Sequence, residues 1–248
     1  MNKHVIYPIP LWTGPSNKSI FMYRLGEFRE RGDASFNNCA YIWYIKGPKE
    51  NIIVESGSTV EQMAAVGYEK KKIQSVEDGL AKHGLKPSDI DIVIQTHMHH
   101  DHIAEAYKYT NAKFIVQKKE LEFARNPHPV FAGVYYEREF FDGLNFQTVE
   151  GDADIVEGIS VLFTPGHSAG TQSVAIETAK GTAIICGCCV LKENFSPPEG
   201  IRERLPVFPP GQHTDVMAAY ESVLRVKGLA KIIINMHDCE FLNTQKIP

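Results

Sequence analysis

The sequence predicts an α/β chain of the αββα kind: two mixed β-sheets packed face to face, with helices outside. Three observations predict it. Short runs rich in Ile, Val and aromatic residues recur between Gly, Pro and Ser turns. The run Ile90-Asp91-Ile92-Val93-Ile94-Gln95-Thr96 is apolar enough for a strand covered on both faces. Both halves of the chain run from strands into helix, so each sheet has helices to cover it.

The elements follow in order. Ile20 to Tyr23, Arg29 to Asp33 and Cys39 to Ile45 read as strands joined by polar turns. Gly47-Pro48 breaks the run, and Asn51 to Glu55 is a further strand stopped by Ser56-Gly57-Ser58. Ser75 opens a helix through Glu77 to Lys82, which Gly84 ends. Pro87-Ser88-Asp89 then turns into the central strand. Ile103 to Tyr109 reads as a short helix, Lys113 to Val116 as a strand and Lys118 to Ala124 as a helix. Strands resume at Asn145 to Val149, Ile159 to Phe163, Gln172 to Glu177 and Thr182 to Cys186. Thr214 to Val226 is a helix and Lys231 to Asn235 a last buried strand. No repeat or linker interrupts the 248 residues, so 1–248 is expected to be a single domain.

Composition narrows the function. Hydrophobic residues at 43% and charged residues at 23% describe an ordinary globular chain. A net charge of −4 gives no basic footprint and argues against nucleic acid as a partner. The first residues lack the apolar run of a signal peptide and no stretch is long enough to span a bilayer, so no membrane association and a cytoplasmic location are expected. Five cysteines, an odd number, argue against a disulfide framework.

The chemistry concentrates in His97-Met98-His99-His100-Asp101-His102, an H-x-H-x-D-H run just after the central strand. Open α/β sheets place ligands at the carboxyl ends of strands. Clustered imidazoles bring polar nitrogens that must find partners when buried, and a metal ion supplies them. Neutral imidazole beside a carboxylate suits zinc, iron and related ions. Three more strand ends carry possible ligands: Thr164-Pro165-Gly166-His167, Cys186-Gly187-Cys188-Cys189 and Met236-His237-Asp238. On an extended strand Cys186 and Cys188 share a face and Cys189 points the other way, so one of the adjacent pair faces the metal. Between Arg125 and Gly143, the aromatic residues Phe131, Tyr135, Tyr136, Phe140 and Phe141 are either a packed surface excursion or a wall over an apolar substrate group; the wall is preferred.

With these motifs the chain resembles the metallo-β-lactamase superfamily, and within it the N-acyl-homoserine lactonase branch. The resemblance rests on His97-x-His99-x-Asp101-His102, the Thr-Pro-Gly-His ending at His167, and His237 after the last strand. It extends to the strand Ile52 to Gly57, the lead-in Pro87 to Asp91 and Lys192-Glu193-Asn194-Phe195. It implies that His97, His99 and His167 hold one metal, and Asp101, His102 and His237 a second. One or two divalent ions are expected, zinc first, with iron or manganese as alternatives. Two positions depart from the lactonase pattern. Where a bridging aspartate should follow Gly187 the chain has Cys188, with Cys189 beside it, and Val190 and Leu191 stand near the place of a substrate-polarising tyrosine. Metallo-β-lactamases proper carry a Cys followed three residues on by a Lys, a spacing matched by Cys189 and Lys192. Cys188 is the first choice as ligand, Cys189 the alternative and Lys192 a pocket residue; the other reading of the cysteine trio is a small-residue strand buried against a helix. Glu55, in the place of the aspartate of an Asp-Thr-Gly turn, is expected to orient a ligand imidazole.

The implied activity is hydrolysis of a lactone, cyclic amide or related acyl compound. The metal lowers the pKa of a bound water and polarises the carbonyl, and Asp101 orients the nucleophile and passes a proton to the leaving group. An iron-dependent redox or sulfur chemistry on the same fold, and a non-catalytic metal- or ligand-binding protein, are the alternatives. The oligomeric state, a homodimer included, is left open.

Overall fold

Alternation along the strands builds the layers. In the strand Asn51–Val54, Ile52 and Val54 face one core while Ile53 faces another. Val93 and Ile94 divide in the same way, as do Phe114 and Ile115. Such strands are apolar throughout because water reaches neither face. The computed structural model describes residues 3–23, 35–47 and 49–248.

Among the described residues, twelve strands form two sheets. They are β1 (Val5–Asn17), β2 (Ser35–Lys46), β3 (Asn51–Val54), β4 (Lys71–Lys72), β5 (Ile92–Ile94) and β6 (Lys113–Gln117). After these come β7 (Phe146–Val149), β8 (Ala153–Val156), β9 (Ile159–Phe163), β10 (Gln172–Thr178), β11 (Gly181–Cys186) and β12 (Ile232–Asn235). The larger sheet has the order β4-β1-β2-β3-β5-β6-β7 and the smaller β12-β11-β10-β9-β8. Both are mixed: β3, β5, β6 and β7 run parallel, β1 and β2 antiparallel, and only β11 and β12 are parallel in the smaller sheet.

Among the described residues, apolar cores separate the layers. The central one joins Ile45, Ile52 and Ile94 of the larger sheet to Val174, Ile185 and Ile234 of the smaller. Outside the larger sheet lie helices α1 (Val60–Ala65), α2 (Val76–Ala81), α3 (His100–Ile103) and α4 (Lys118–Arg125), which contribute Met63, Leu80, Ile103 and Leu121. Outside the smaller sheet lie α5 (Glu199–Arg202) and α6 (Val216–Leu229); Val223 and Val226 of α6 cover Ile184. This is the expected αββα sandwich. Ser75 caps α2 through a reciprocal pair with Asp78, as its sequence foretells, and Asp215 caps α6 by accepting from the Met217 and Ala218 amides.

Three local expectations change. The helix expected over Ile103 to Tyr109 is instead α3 at His100–Ile103 followed by a 3-10 turn at Ala106–Lys108. Ile20 to Tyr23 is not a strand. Asn17 accepts the Ser19 amide at 2.9 Å and a 3-10 turn over Lys18–Ile20 bends the chain, which carries Phe21 into the interior. The thirteen-residue β1, with Pro8, Pro10 and Pro15, has no counterpart among the expected strands. Pro8 and Pro10 lie along the stretch that β4, paired only at Trp12 and Thr13, does not cover, which is where a strand tolerates proline. Arg29 to Asp33 lies outside the described residues.

The strands deliver their chemistry to one end of the sandwich. β5 leads into His97, β9 into His167, β11 into Cys189 and β12 into His237. The turn bearing His167 is clamped by α6: Thr214 and Asp215 donate to the Gly166 carbonyl at 2.7 and 3.1 Å. A Cβ on Gly166, whose φ is +123°, would lie 2.1 Å from the Ala219 nitrogen. Gly166→Ala is therefore expected to lower the unfolding free energy by about 1–3 kcal/mol or more, read from the denaturant midpoint. An unchanged midpoint would show that α6 yields there without cost.

Candidate metal centre

Five imidazoles meet in the dry end of the central layer. His97 is fully buried, and His99, His102, His167 and His237 are each at most 7% exposed. One ligand atom from each of His97, His99 and His167 lies within 4.8 Å of the other two, and Asp101, His102 and His237 form a second set on the same criterion. His97 Nε2 and His167 Nε2 are 3.2 Å apart. His102 Nε2 and His237 Nε2 stand 3.4 and 3.9 Å from Asp101 Oδ2. The rings of His97, His99 and His167 are mutually edge-on, with centroids 4.6–4.7 Å apart.

Each of four rings is fixed through its other nitrogen. His97 Nδ1 meets Thr96 Oγ1 at 2.9 Å, and His167 Nδ1 meets the Gln212 carbonyl at 2.8 Å. His237 Nδ1 meets the Cys39 carbonyl at 3.3 Å, and His102 Nδ1 faces Glu55 Oε2 at 3.5 Å. Where the partner is a carbonyl the Nδ1 must carry the proton, which leaves Nε2 as a lone-pair donor; this is the usual outer arrangement of a metal-binding imidazole. Glu55 holds a left-handed backbone, φ 68°, and takes hydrogen bonds from Gln95 and the Thr96 amide. Its expected place beside a ligand imidazole is thus occupied.

Charge separates the two sets. Burial and the neighbouring imidazoles push His97 and His99 well below their ordinary 6.5. Burial lowers His167 to about 4 and His237 to about 4. Burial would also lower His102, but the Asp101 and Glu55 carboxylates outweigh it and raise it to about 10. Burial would raise the Asp101 carboxyl, yet His102 and His237 hold it well below the ordinary carboxylate range.

Residues that the sequence did not single out hold the two loops together. Glu120, on α4, accepts from the Met98 amide at 3.0 Å, Ser168 Oγ at 2.6 Å, the Gly170 amide at 2.9 Å and Tyr135 Oη at 3.2 Å. It thereby ties the His97–His99 loop to the His167 loop. Gln95 donates to Glu55 and to the His97 and His102 carbonyls at 3.1 and 2.8 Å. Its signal was a polar residue inside an apolar strand, which must be satisfied somewhere. Glu120, one carboxylate on an amphipathic helix, carried no such signal.

Five pocket assignments and the choice of cysteine are corrected. A cleft opens over both sets, and Cys189 lies on its wall. Cys188 faces the other way, into the apolar core with Cys186, Val190, Val223 and Val226. The two cysteines do face opposite ways, but beyond the end of β11 and with a left-handed backbone at Cys189, φ 53°, rather than by strand alternation. Among the described residues neither donor set contains a sulfur. Phe131, Tyr136 and Phe140 do not line the cleft: Phe131 packs near Phe123, and Tyr136 stacks on Phe140 with centroids 4.2 Å apart. Tyr135 is buried edge-on against His99 at 4.8 Å and serves as a support rather than a wall. Lys192 is exposed and paired with Glu240 at 3.1 Å. The walls come instead from Trp12, Ile20, Phe21, Met63, Val66 and Val134.

Two outcomes test this wiring in the metal-free protein. Glu120→Ala strips four buried donors of their acceptor and is expected to cost at least about 3 kcal/mol of unfolding free energy, with Glu120→Gln costing less. Equal denaturant midpoints for wild type and Glu120→Ala would refute it. The second is a pH profile. Between pH 6.5 and about 4 an unfolded chain takes up protons that folded His167 and His237 refuse, so stability falls as pH falls through that window. His102 acts oppositely: its contribution is complete below 6.5 and is lost as pH rises toward about 10. Thermal midpoints of the chelated protein should therefore peak near pH 6.5, and a flat profile across both windows would contradict the charge assignment.

Known proteins resemble this chain in sequence and in fold. The N-acyl homoserine lactonase of Bacillus cereus is 35% identical over 118 residues, 47% of this chain and 45% of its own length. The N-acyl homoserine lactonase AttM of Rhizobium radiobacter is 36% identical over 113 residues, 42% of this chain and 43% of its own. The aligned sequence thus spans under half the length of these relatives. In three dimensions a quorum-quenching N-acyl homoserine lactone lactonase superposes with a TM-score of 0.75 at 26% identity, covering 98% of this chain and 96% of that one. An N-acyl homoserine lactone hydrolase with the product N-hexanoyl-L-homoserine at its catalytic metal center superposes equally well, with 98% and 97% covered. The sequence profile of the Metallo-beta-lactamase superfamily matches residues 32–232, most of the chain, and the chain belongs to that superfamily.

Proposed function

We propose that the chain is a metal-dependent hydrolase acting on a lactone, cyclic amide or related acyl compound. The observation that carries this reading is the meeting of two three-residue donor sets at the floor of one cleft. The donor chemistry fits a cation. Four of the imidazoles are held neutral by burial, and three of these have Nδ1 engaged, so that Nε2 has no use in an apolar interior except toward an ion. His97, His99 and His167 would hold one ion and Asp101, His102 and His237 another. Zinc is the first choice for nitrogen with one carboxylate, and iron and manganese suit the same atoms. When bound, such ions polarise an acyl carbonyl and bring the pKa of a water toward neutrality.

The chain's own groups do the rest. Asp101 faces the cleft beside His102 and His237, so its carboxylate can orient the attacking water and take its proton. The same carboxylate then delivers that proton to the departing oxygen or nitrogen, which balances hydrolysis without another acid. Glu55 holds the His102 ring, and Gln95 holds Glu55. Ile20, Phe21, Met63 and Val66 offer the acyl portion an apolar wall. The names of the relatives and the bound product in a superposed structure support an acyl substrate. Cys189 is the sulfur we assign to the neighbourhood of the ions, since it shares the cleft with both donor sets and holds a left-handed backbone, φ 53°, unusual for its type.

Purified protein is expected to carry one or two divalent ions per chain by elemental analysis. Chelation should abolish ester and lactone hydrolysis, and zinc, manganese or iron should restore it. A protein that holds no ion and stays inactive on resupply would sink the reading. The sulfur is tested with cobalt(II): a near-ultraviolet thiolate-to-cobalt band should appear, vanish in Cys189→Ser and persist in Cys188→Ser. A band that follows Cys188 instead would reverse the choice between the two cysteines.

A further inference from the structure

The cleft contains a lysine that the metal centre does not use. Lys70 precedes β4 and lies against β1, where the absence of a side chain at Gly14 makes room: a Cβ there would sit 2.9 Å from Lys70 Cδ. Its ammonium donates to the Pro15 carbonyl at 2.7 Å and to Asn38 Oδ1 at 3.0 Å. It also lies over two aromatic faces, 5.2 Å from the Trp12 ring and 5.8 Å from that of Tyr68. Trp12 is itself anchored, its indole N–H donating to Ser58 Oγ at 2.9 Å. The head group is therefore placed by two acceptors and two rings, not left to wander as a surface lysine would.

An ammonium has three donors, and the two acceptors account for two. Among the described residues no carboxylate forms an ion pair with Lys70. Lys70, Asn38 and Trp12 share the wall of the cleft with Asp101 and His237. The Asp101 carboxylate in the same cleft attracts this ammonium without forming an ion pair, and a half-buried cation so weakly compensated is costly unless something in solution completes it. Apart from the imidazoles, no other basic side chain lines this cleft among the described residues, and Lys192, the lysine favoured by sequence spacing, is exposed on Glu240.

We infer that Lys70 is a specificity-determining residue of the cleft, which selects acyl compounds bearing a carboxylate apart from the bond to be cleaved. The carboxylate would take the third N–H of the ammonium, a charge-assisted hydrogen bond, while the apolar remainder lies along Met63 and Val66. The assignment rests on the acyl-substrate reading for the rest of the molecule, but the binding step itself requires neither turnover nor metal.

The test uses two esters, monomethyl adipate with one free carboxylate and dimethyl adipate with none. Their binding to full-length protein is followed by calorimetry and by tryptophan fluorescence, since Trp12 adjoins the ammonium. Metal-free and zinc-loaded protein are titrated separately. Wild type should bind the monoester about tenfold or more tightly than the diester in both forms, the effect of one charge-assisted hydrogen bond. Lys70→Met should erase the difference and Lys70→Arg should keep most of it. Added salt should weaken the monoester and leave the diester unchanged, a measurement that needs no variant. Equal binding of the two esters, no binding of either, or a preference that survives in folded Lys70→Met overturns the inference. A preference seen only with zinc loaded and unchanged in Lys70→Met would place the carboxylate on the ions. Because the metal-free arm involves no catalysis, failure of the hydrolase reading and failure of this one give different results.

Discussion

Five imidazoles sunk in a dry layer are the constraint on which the rest of this structure depends. A buried ring nitrogen without a partner costs free energy on the scale of a lost hydrogen bond, so ten such nitrogens must be accounted for. The fold answers on one side of the rings, with Thr96, Glu55, the Gln212 carbonyl and the Cys39 carbonyl, each from a different segment. That requirement explains why residues so far apart meet at one end of the sandwich. On the other side, among the described residues, ring nitrogens face each other and Asp101.

Supporting groups follow from the same constraint. Loops cannot hold rings to the needed precision unless their own backbone is tied, and here carboxylates and carboxamides tie it. Glu120 gathers four donors from three segments, and Gln172 spans the sheets by donating to the Gln95 carbonyl at 2.9 Å and accepting from Gln117 Nε2 at 2.9 Å. Gly170 and Gly187 are small because backbone passes through the space of a side chain: a Cβ would lie 2.3 Å from the Glu120 nitrogen or 2.1 Å from the Gln172 oxygen. Close approach, not turn geometry, is what these two glycines supply.

Most of the layering and all six nitrogen and carboxylate donors were legible in the sequence, because each leaves a local trace. H-x-H-x-D-H is compact, His167 follows a Pro-Gly turn, and His237 follows a run of isoleucines. The residues that escaped act through contacts distant in sequence. Glu120 lies on an ordinary helix, Lys70 in a charged stretch, and Trp12 in a proline-rich one. Periodicity says which side chains share a face but not which face meets the site, so alternation separated Cys188 from Cys189 without choosing between them. Aromatic residues from Phe131 to Phe140 misled for a related reason. Aromatic richness marks buried area, and a wall and a support bury area alike.

The two donor sets differ in charge, and the difference shapes how ions would enter. His97, His99 and His167 are neutral when empty, so a cation there displaces no proton. His102, between Asp101 and Glu55, keeps a proton at neutral pH and must surrender it before Nε2 can bind. Were both sets to hold ions, affinity of the first would be nearly level across neutral pH, whereas that of the second would climb with pH until His102 is deprotonated. The carboxylates that raise the proton's affinity also raise the cation's, because both respond to the same negative field. A second ion is thus favoured by Asp101 and Glu55 once the proton has left, and the all-nitrogen set is the one that fills at lower pH.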